Sequence, residues 1–185
     1  MRKLIKKSDK PEILLEGKFL RLLRWGRWEY AQRCNCTGIV VIIAMTAEGK
    51  VIFTRQWRPP VNKDVIEFPA GLVNDKNFHK KESMALAARR ELLEETGYEA
   101  RQIKKIISGP VSAGFSSDLI SIYLASGLSQ KNKGGGDATE NIRTYTVPLA
   151  RVDRWLKEKE RQGCLVDPKV YAGLYFLRIA ANGRC

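Results

Sequence analysis

Ten residues, Arg89-Arg-Glu-Leu-Leu-Glu-Glu-Thr-Gly-Tyr98, constrain this chain more than any other stretch. Glu91, Glu94 and Glu95 are related as i, i+3 and i+4, so on a helix they fall within an arc of about 100°. Like charges that close disfavour an isolated helix by about 0.2–0.5 kcal/mol per pair. A bound divalent cation reverses the penalty. Carboxylate oxygens at this spacing suit Mg²⁺ or Mn²⁺, hard ions that usually retain waters and bind substrate phosphates. Ala85, Ala88 and Leu92 occupy a neighbouring flank and would pack on a sheet, leaving the acidic face towards a cleft. Spacing alone also describes an ordinary solvated acidic face, so the surroundings must decide.

Ser83 supplies an N-cap and Gly97 a left-handed stop, so the pattern predicts a helix over 84–96. Leu149, Val152, Trp155 and Leu156 give the apolar stripe of a second helix closed by Gly163. Asp167-Pro168 opens a third, with Asp at the N-cap and Pro at the first helical position, running to about Ala181. Upstream, residues 12–36 alternate apolar and charged side chains and are punctuated by Gly17 and Gly26, as in two or three antiparallel strands. Such a piece buries no core of its own and must lean on something else. Ile39–Met45 is a continuous apolar run suited to a buried strand, and Val51–Gln56 is its hairpin partner across Ala47–Lys50. Val65–Phe68, Ala100–Ser108, Leu119–Ala125 and Ile142–Val147 read as further strands, and Lys131–Ala138 as a loop. Strands and helices interleave, which predicts an α/β or α+β sandwich.

The chain carries 33 Lys+Arg against 20 Asp+Glu, a formal charge of +13. That surface attracts polyanions, whether nucleic acid, anionic membrane or phosphorylated metabolites. A hydrophobic fraction of 44% excludes a disordered chain. The four cysteines, at 34, 36, 164 and 185, and the single histidine, His79, do not have the spacing of a structural zinc site. Reduced thiols are the expectation, and with no signal-like or membrane-spanning apolar run the expected location is the cytoplasm.

The acidic segment resembles the signature of the Nudix hydrolases, G-x5-E-x7-R-E-U-x-E-E-x-G-U, where U is a bulky apolar residue. Glu82 is followed by seven residues, then Arg90-Glu91, Leu92, Leu93, Glu94-Glu95, Thr96, Gly97 and Tyr98. The opening glycine is best matched by Gly71, with ten intervening residues before Glu82 instead of five. Asp75–Lys80 therefore reads as an insertion in the loop entering the helix. Further resemblance points to the ADP-ribose and ADP-sugar pyrophosphatases: Trp28-Glu-Tyr-Ala-Gln-Arg33, Gln56-Trp-Arg-Pro-Pro60, Ile66-Glu-Phe-Pro-Ala-Gly-Leu72 and Val166-Asp-Pro-Lys-Val-Tyr171. It covers the chain from about Glu12 to Ala180.

The resemblance implies a Nudix α/β/α sandwich with a mixed sheet over 37–185, and a small N-terminal antiparallel β region over 1–36 that mediates a homodimer. It implies Mg²⁺- or Mn²⁺-dependent hydrolysis of ADP-ribose and related nucleoside diphosphate sugars to a nucleoside monophosphate and a sugar phosphate. Glu91, Glu94, Glu95 and the carbonyl of Ala70 match the metal ligands, with Arg90 orienting the carboxylates. Glu140 matches the general base, on a glycine-rich loop expected to close over substrate, and Glu94 joins it as a catalytic residue. Arg33 and Arg58 match diphosphate contacts, Trp28 a base-stacking aromatic and Glu29 an acceptor for an exocyclic amine. Phe19 matches a second stacking face from the other subunit, and Ser112–Ser116 a loop lining the sugar pocket.

Two alternatives stay open. One is a broad GDP- or UDP-sugar hydrolase. The other is an RNA-directed Nudix protein, for decapping or for binding alone, which the basic charge and Arg24-Trp-Gly-Arg-Trp28 favour. Retention of all three glutamates argues for hydrolysis, and no membrane partner is expected.

Overall fold

The computed structural model describes residues 10–74, 82–136 and 140–181. The alternating N-terminal stretch forms a three-stranded antiparallel sheet of β1 (Glu12–Glu16), β2 (Leu20–Trp25) and β3 (Trp28–Arg33). Gly26, at φ 62°, allows the tight hairpin that pairs Trp25 with Trp28. Leu23 is the one core residue this sheet contributes, while Ile13, Leu15, Phe19, Leu20, Leu22 and Trp28 remain exposed. The sheet leans on the rest of the chain through the loop 111–118. Ala31 N–H donates to the Phe115 carbonyl at 2.9 Å, and Ser117 N–H to the Ala31 carbonyl at 3.0 Å.

Two further sheets carry the core. β4 (Gly38–Ala44) pairs with β7 (Ala70–Val73) and with β9 (Leu119–Gln130), which pairs with β8 (Tyr98–Pro110). β5 (Lys50–Arg58) lies between β10 (Arg143–Pro148) and β6 (Lys63–Glu67), and β6 also pairs with β11 (Leu165–Val166). The β4–β9 and β6–β11 pairs are parallel and the others antiparallel. Because side chains alternate along a strand, β4 serves both faces. Val40, Ile42 and Ala44 pack with Ala87, Ala88 and Leu92 of α1 (Met84–Thr96). Val41 and Ile43 share a cluster with Leu156 of α2 (Val152–Arg161) and with Val170, Leu174 and Leu177 of α3 (Pro168–Ala181). One helix on one side and two on the other make the α/β/α layering expected of the sequence.

Differences from the sequence expectation are local. β6 begins at Lys63 and ends at Glu67, β9 continues to Gln130, and the second helix starts as a 3-10 turn over Leu149–Arg151. β7 and β11 were not anticipated. They have four and two residues, too short for a periodicity to register. The inserted stretch Asp75–Lys80 and Asp137, the other carboxylate that the sequence offers on the loop of Glu140, lie outside the described residues. Among the described residues no helix is long and apolar enough to cross a membrane.

Candidate active site

The helix that carries the acidic segment is closed at both ends as its sequence predicts. Ser83 Oγ accepts from Leu86 N–H at 3.2 Å, and Gly97 takes φ 76° with its N–H on the Leu93 carbonyl at 2.9 Å. Leu92 turns to the sheet, yet Glu91 and Glu95 are themselves only 8% and 4% exposed. This is no solvated acidic face. Two carboxylates are held in the interior, where an unpaired charge is costly.

β7 approaches α1 closely enough to explain its glycine. A Cβ on Gly71 would fall 1.9 Å from Cδ of Glu91, so only glycine leaves the carboxylate its place. One residue earlier, Ala70 N–H donates to Glu95 Oε2 at 3.2 Å. Burial, then the charge of Glu91 and that of Glu140, push the Glu95 carboxyl well above the ordinary carboxylate range, against that amide and Arg58.

Arg90 organises the remaining acids. Its Nε donates to Glu82 Oε1 at 2.9 Å, its Nη1 to Glu91 Oε1 at 2.6 Å and Glu94 Oε2 at 3.2 Å, and its Nη2 to the Leu72 carbonyl at 2.9 Å. The hydrogen bond to Glu82, more than any other contact, holds this guanidinium charged far above its usual range. Glu82 also closes the inserted loop at its base. Its N–H donates to Asn74 Oδ1 at 2.6 Å, and Asn74 N–H donates back to Glu82 Oε2 at 3.4 Å. The insertion therefore leaves from a tied pair, and Glu82 keeps its contact with Arg90.

Glu140 arrives on the loop between β9 and β10, and that loop is fastened to the end of α1. Gly135 N–H donates to the Glu95 carbonyl at 2.9 Å, Gly136 N–H to the Glu94 carbonyl at 3.1 Å and Thr144 Oγ1 to the Glu95 carbonyl at 3.1 Å. Carbonyls that the helix itself cannot satisfy are thereby paired. Gly134, Gly135 and Gly136 all have positive φ, and a Cβ on Gly134 would lie 2.4 Å from the Thr96 carbonyl carbon. Close approach and backbone sign both favour glycine at these positions.

One cavity of about 720 Å³ gathers most of the expected residues: Arg33, Arg58, Ala70, Glu91, Glu94 and Glu140 all line it. Glu95 lies buried beside them. Arg58 Nε donates to Glu67 at 2.7 Å and Arg33 Nε to Asp118 at 3.3 Å. Burial opposes the Arg58 charge, but the hydrogen bond to Glu67 and the charges of Glu67, Glu95 and Glu140 together hold it above its usual range. Trp28 and Glu29 are not brought to this cavity; both stand exposed on β3, with Trp28 beside Gly114 of the 111–118 loop. Glu67 and Asp118, which aim the two arginines, were missed. Glu67 had a signal, a charged residue set between the apolar pair Val65-Ile66 and Phe68-Pro69. Asp118 had none, since its partner is 85 positions away in sequence.

Among the described residues, no three acidic, histidine or cysteine side chains form a ready metal cage; Glu91 and Glu94 are turned to Arg90. The donor chemistry nonetheless fits a hard divalent ion. All the donors are oxygens, Ala70, Glu91 and Glu94 line one cavity with Glu95 buried beside them, and the buried Glu91–Glu95 repulsion is a charge imbalance that a cation relieves.

Residues 37–165 match the NUDIX domain model. A methanol dehydrogenase activator from Bacillus methanolicus is 33% identical over 180 residues, covering 94% of this chain and 92% of the relative. An ADP-ribose pyrophosphatase from Bacillus subtilis (strain 168) is 29% identical over 186 residues, covering 97% and 96%. The crystal structure of an ADP compounds hydrolase superposes with a TM-score of 0.66 at 22% identity, covering 97% of this chain and all of that one, and shares the fold. With the domain match spanning the acidic helix and the strands that frame its cavity, the chain belongs to the Nudix family of hydrolases.

Proposed function

We propose that this protein hydrolyses the diphosphate linkage of ADP-ribose and related nucleoside diphosphate sugars to a nucleoside monophosphate and a sugar phosphate. The observation that carries the reading is the polarity of one cavity, with Arg33 and Arg58 set against Glu91, Glu94 and Glu140 around the same space. A diphosphate needs its charge neutralised and a water aligned on phosphorus, and each side of the cavity meets one need. The ADP-ribose pyrophosphatase named among the relatives, matched over nearly its whole length, supports the same substrate class.

In this reading Glu91, Glu94, Glu95 and the Ala70 carbonyl hold Mg²⁺ or Mn²⁺. When bound, the ion supplies Lewis-acid polarisation of the phosphoryl oxygens. Arg58 and Arg33 grip the diphosphate with planar, permanently charged groups suited to bidentate contact. Glu140 accepts the proton of the attacking water. Glu94, which lines the same cavity, orients that water.

The region 1–36 serves as the dimerisation unit. Its exposed apolar face is what a second copy would cover, and Trp28, Glu29 and Phe19 then complete the partner's base pocket, which explains their distance from their own. The free thiols of Cys34 and Cys164 support a cytoplasmic location.

Product chromatography tests the reading. ADP-ribose, ADP-, GDP- and UDP-hexoses and capped RNA are incubated with Mg²⁺ and, separately, Mn²⁺, beside a Glu95→Gln control. Monophosphate plus sugar phosphate, lost in the control, supports it. Cleavage confined to GDP- or UDP-sugars, or to capped RNA, replaces it with the corresponding alternative.

A further inference from the structure

A second cleft, of about 590 Å³, opens beside the catalytic cavity and is lined by Arg55, Trp57, Arg58, Asp64, Asn141 and Arg143 among others. Its charge is unbalanced. Arg55 is bonded to Asp64 at 2.5 Å and Arg58 to Glu67 at 2.7 Å, whereas Arg143 has no carboxylate within 4.0 Å among the described residues.

The strand register makes the imbalance costly. Arg143 of β10 sits directly opposite Arg55 of β5, and like charges in directly opposed cross-strand positions destabilise a sheet. One carboxylate, Asp64, answers the two. Nothing in the packing requires a guanidinium at 143, which is exposed at the first position of its strand. Beside the arginines, Trp57 leaves 53% of its surface in solvent, a large apolar face on a strand otherwise occupied with the core. An aromatic plane next to clustered guanidiniums is a pairing that nucleotides satisfy, by stacking and by phosphate contact.

The cleft adjoins the catalytic site. Arg58 and Pro59 line both spaces, and Asn141, on the cleft, directly follows Glu140, on the cavity. A ligand whose diphosphate lies on Arg58 thus touches a residue that also lines the second space.

We propose that this cleft binds a phosphate monoester carried by the nucleotide substrate outside its scissile diphosphate, with Arg143 and Arg55 as its contacts and Trp57 as the apolar wall beside it. The proposal rests on the nucleotide-hydrolase reading above and adds to it a preference for ribose-phosphorylated substrates. A dianionic monoester offsets the Arg143–Arg55 repulsion that Asp64 leaves, and the volume is in the range of small-ligand pockets.

The experiment is calorimetric titration of the full chain, at fixed ionic strength, with adenosine 2′,5′-bisphosphate, adenosine 3′,5′-bisphosphate and 5′-AMP, repeated on Arg143→Gln and Trp57→Ala. In parallel, kcat/KM is measured on ADP-ribose and on ADP-ribose bearing a 2′-phosphate on its adenosine. The expected result is that at least one bisphosphate binds about tenfold or more tighter than AMP. Arg143→Gln should erase that difference while leaving ADP-ribose turnover within about twofold of the parent. Equal binding of bisphosphates and AMP overturns the proposal, as does a preference that survives Arg143→Gln. A short single-stranded RNA that binds tighter than either bisphosphate, in an Arg143-dependent way, overturns it in favour of a polymer site. Failure of ADP-ribose hydrolysis in every protein counts against the hydrolase reading alone, because the calorimetric arm needs no turnover.

Discussion

The main-chain N–H of Gly136 donates to the carbonyl of Glu94 at 3.1 Å. The residue that offers a carboxylate to the cavity with its side chain thus holds the opposing loop with its backbone. Gly136 also lies against Glu140: a Cβ there would stand 2.5 Å from Glu140 Oε2 and 2.7 Å from its Cβ. The general-base candidate and the acidic helix are therefore registered to each other by backbone contacts at a glycine whose φ is 82°.

Gly136→Ala should displace Glu140 without dismantling the core. A side chain at that φ costs about 1 kcal/mol, and a shift of about 1 Å in a catalytic group costs up to about 100-fold in rate. The expected outcome is kcat reduced about 10- to 100-fold on ADP-ribose, with KM within about threefold and a loss of about 1–2 kcal/mol in denaturant unfolding. Unchanged kcat would remove the positioning role of the glycine.

Glu95→Gln should act in opposite directions on metal-free and metal-loaded protein. The substitution keeps an acceptor for the Ala70 amide and removes a buried charge that Glu91 and Glu140 both oppose. Without divalent ions, thermal melting should show the variant at or above the parent. With Mg²⁺ in excess the parent should gain in melting temperature by linkage, and the variant should gain nothing.

Arg90→Lys tests whether charge or geometry matters at that position. The guanidinium spans Glu82, Glu91, Glu94 and the Leu72 carbonyl, a fork that an ammonium does not reproduce. With the side chain about a fifth exposed, we expect a loss of about 1–3 kcal/mol in unfolding free energy. Mg²⁺ affinity, followed by calorimetry, should weaken as well, because Glu91 and Glu94 lose the group that orients them.

Leu15 and Leu22 are cross-strand partners on β1 and β2, with 67% and 39% of their surfaces exposed. Sedimentation of the parent protein should give a dimer, and Leu15→Glu together with Leu22→Glu should give a monomer with reduced hydrolysis, because a charge buried at an interface is not repaid. A monomeric parent would end the dimer proposal and, with it, the assignment of Trp28 and Glu29 to a partner's pocket.

The acidic helix could be read directly because its determinants are local. Ser83, the i, i+3, i+4 glutamates and Gly97 act within a few turns of one another, so cap, face and stop are written in adjacent residues. The alternating N-terminal strands and the continuous apolar run of β4 were legible for the same reason, as a period of two and a doubly buried strand leave different patterns. Glycine is a less complete signal. Gly134–Gly136 marks a loop in sequence, but only the structure shows that the N–H groups of Gly135 and Gly136 pair with the carbonyls of Glu95 and Glu94.

By itself, then, the sequence determined the family signature, the bounds of α1 and the identity of its three carboxylates. Tertiary structure alone decided that Ala70 and Gly71 lie in a four-residue strand against β4, where the glycine makes room for Glu91. It decided that Arg33 meets Asp118, that Trp28 and Glu29 stand away from their own cavity, and that Arg143 faces Arg55 across a register. The physical reason is distance along the chain. Capping and helical facing are set by neighbours a few residues apart, whereas strand register and the ion pairs across a cavity form between segments tens of residues apart, whose meeting is fixed by the packing of the whole core.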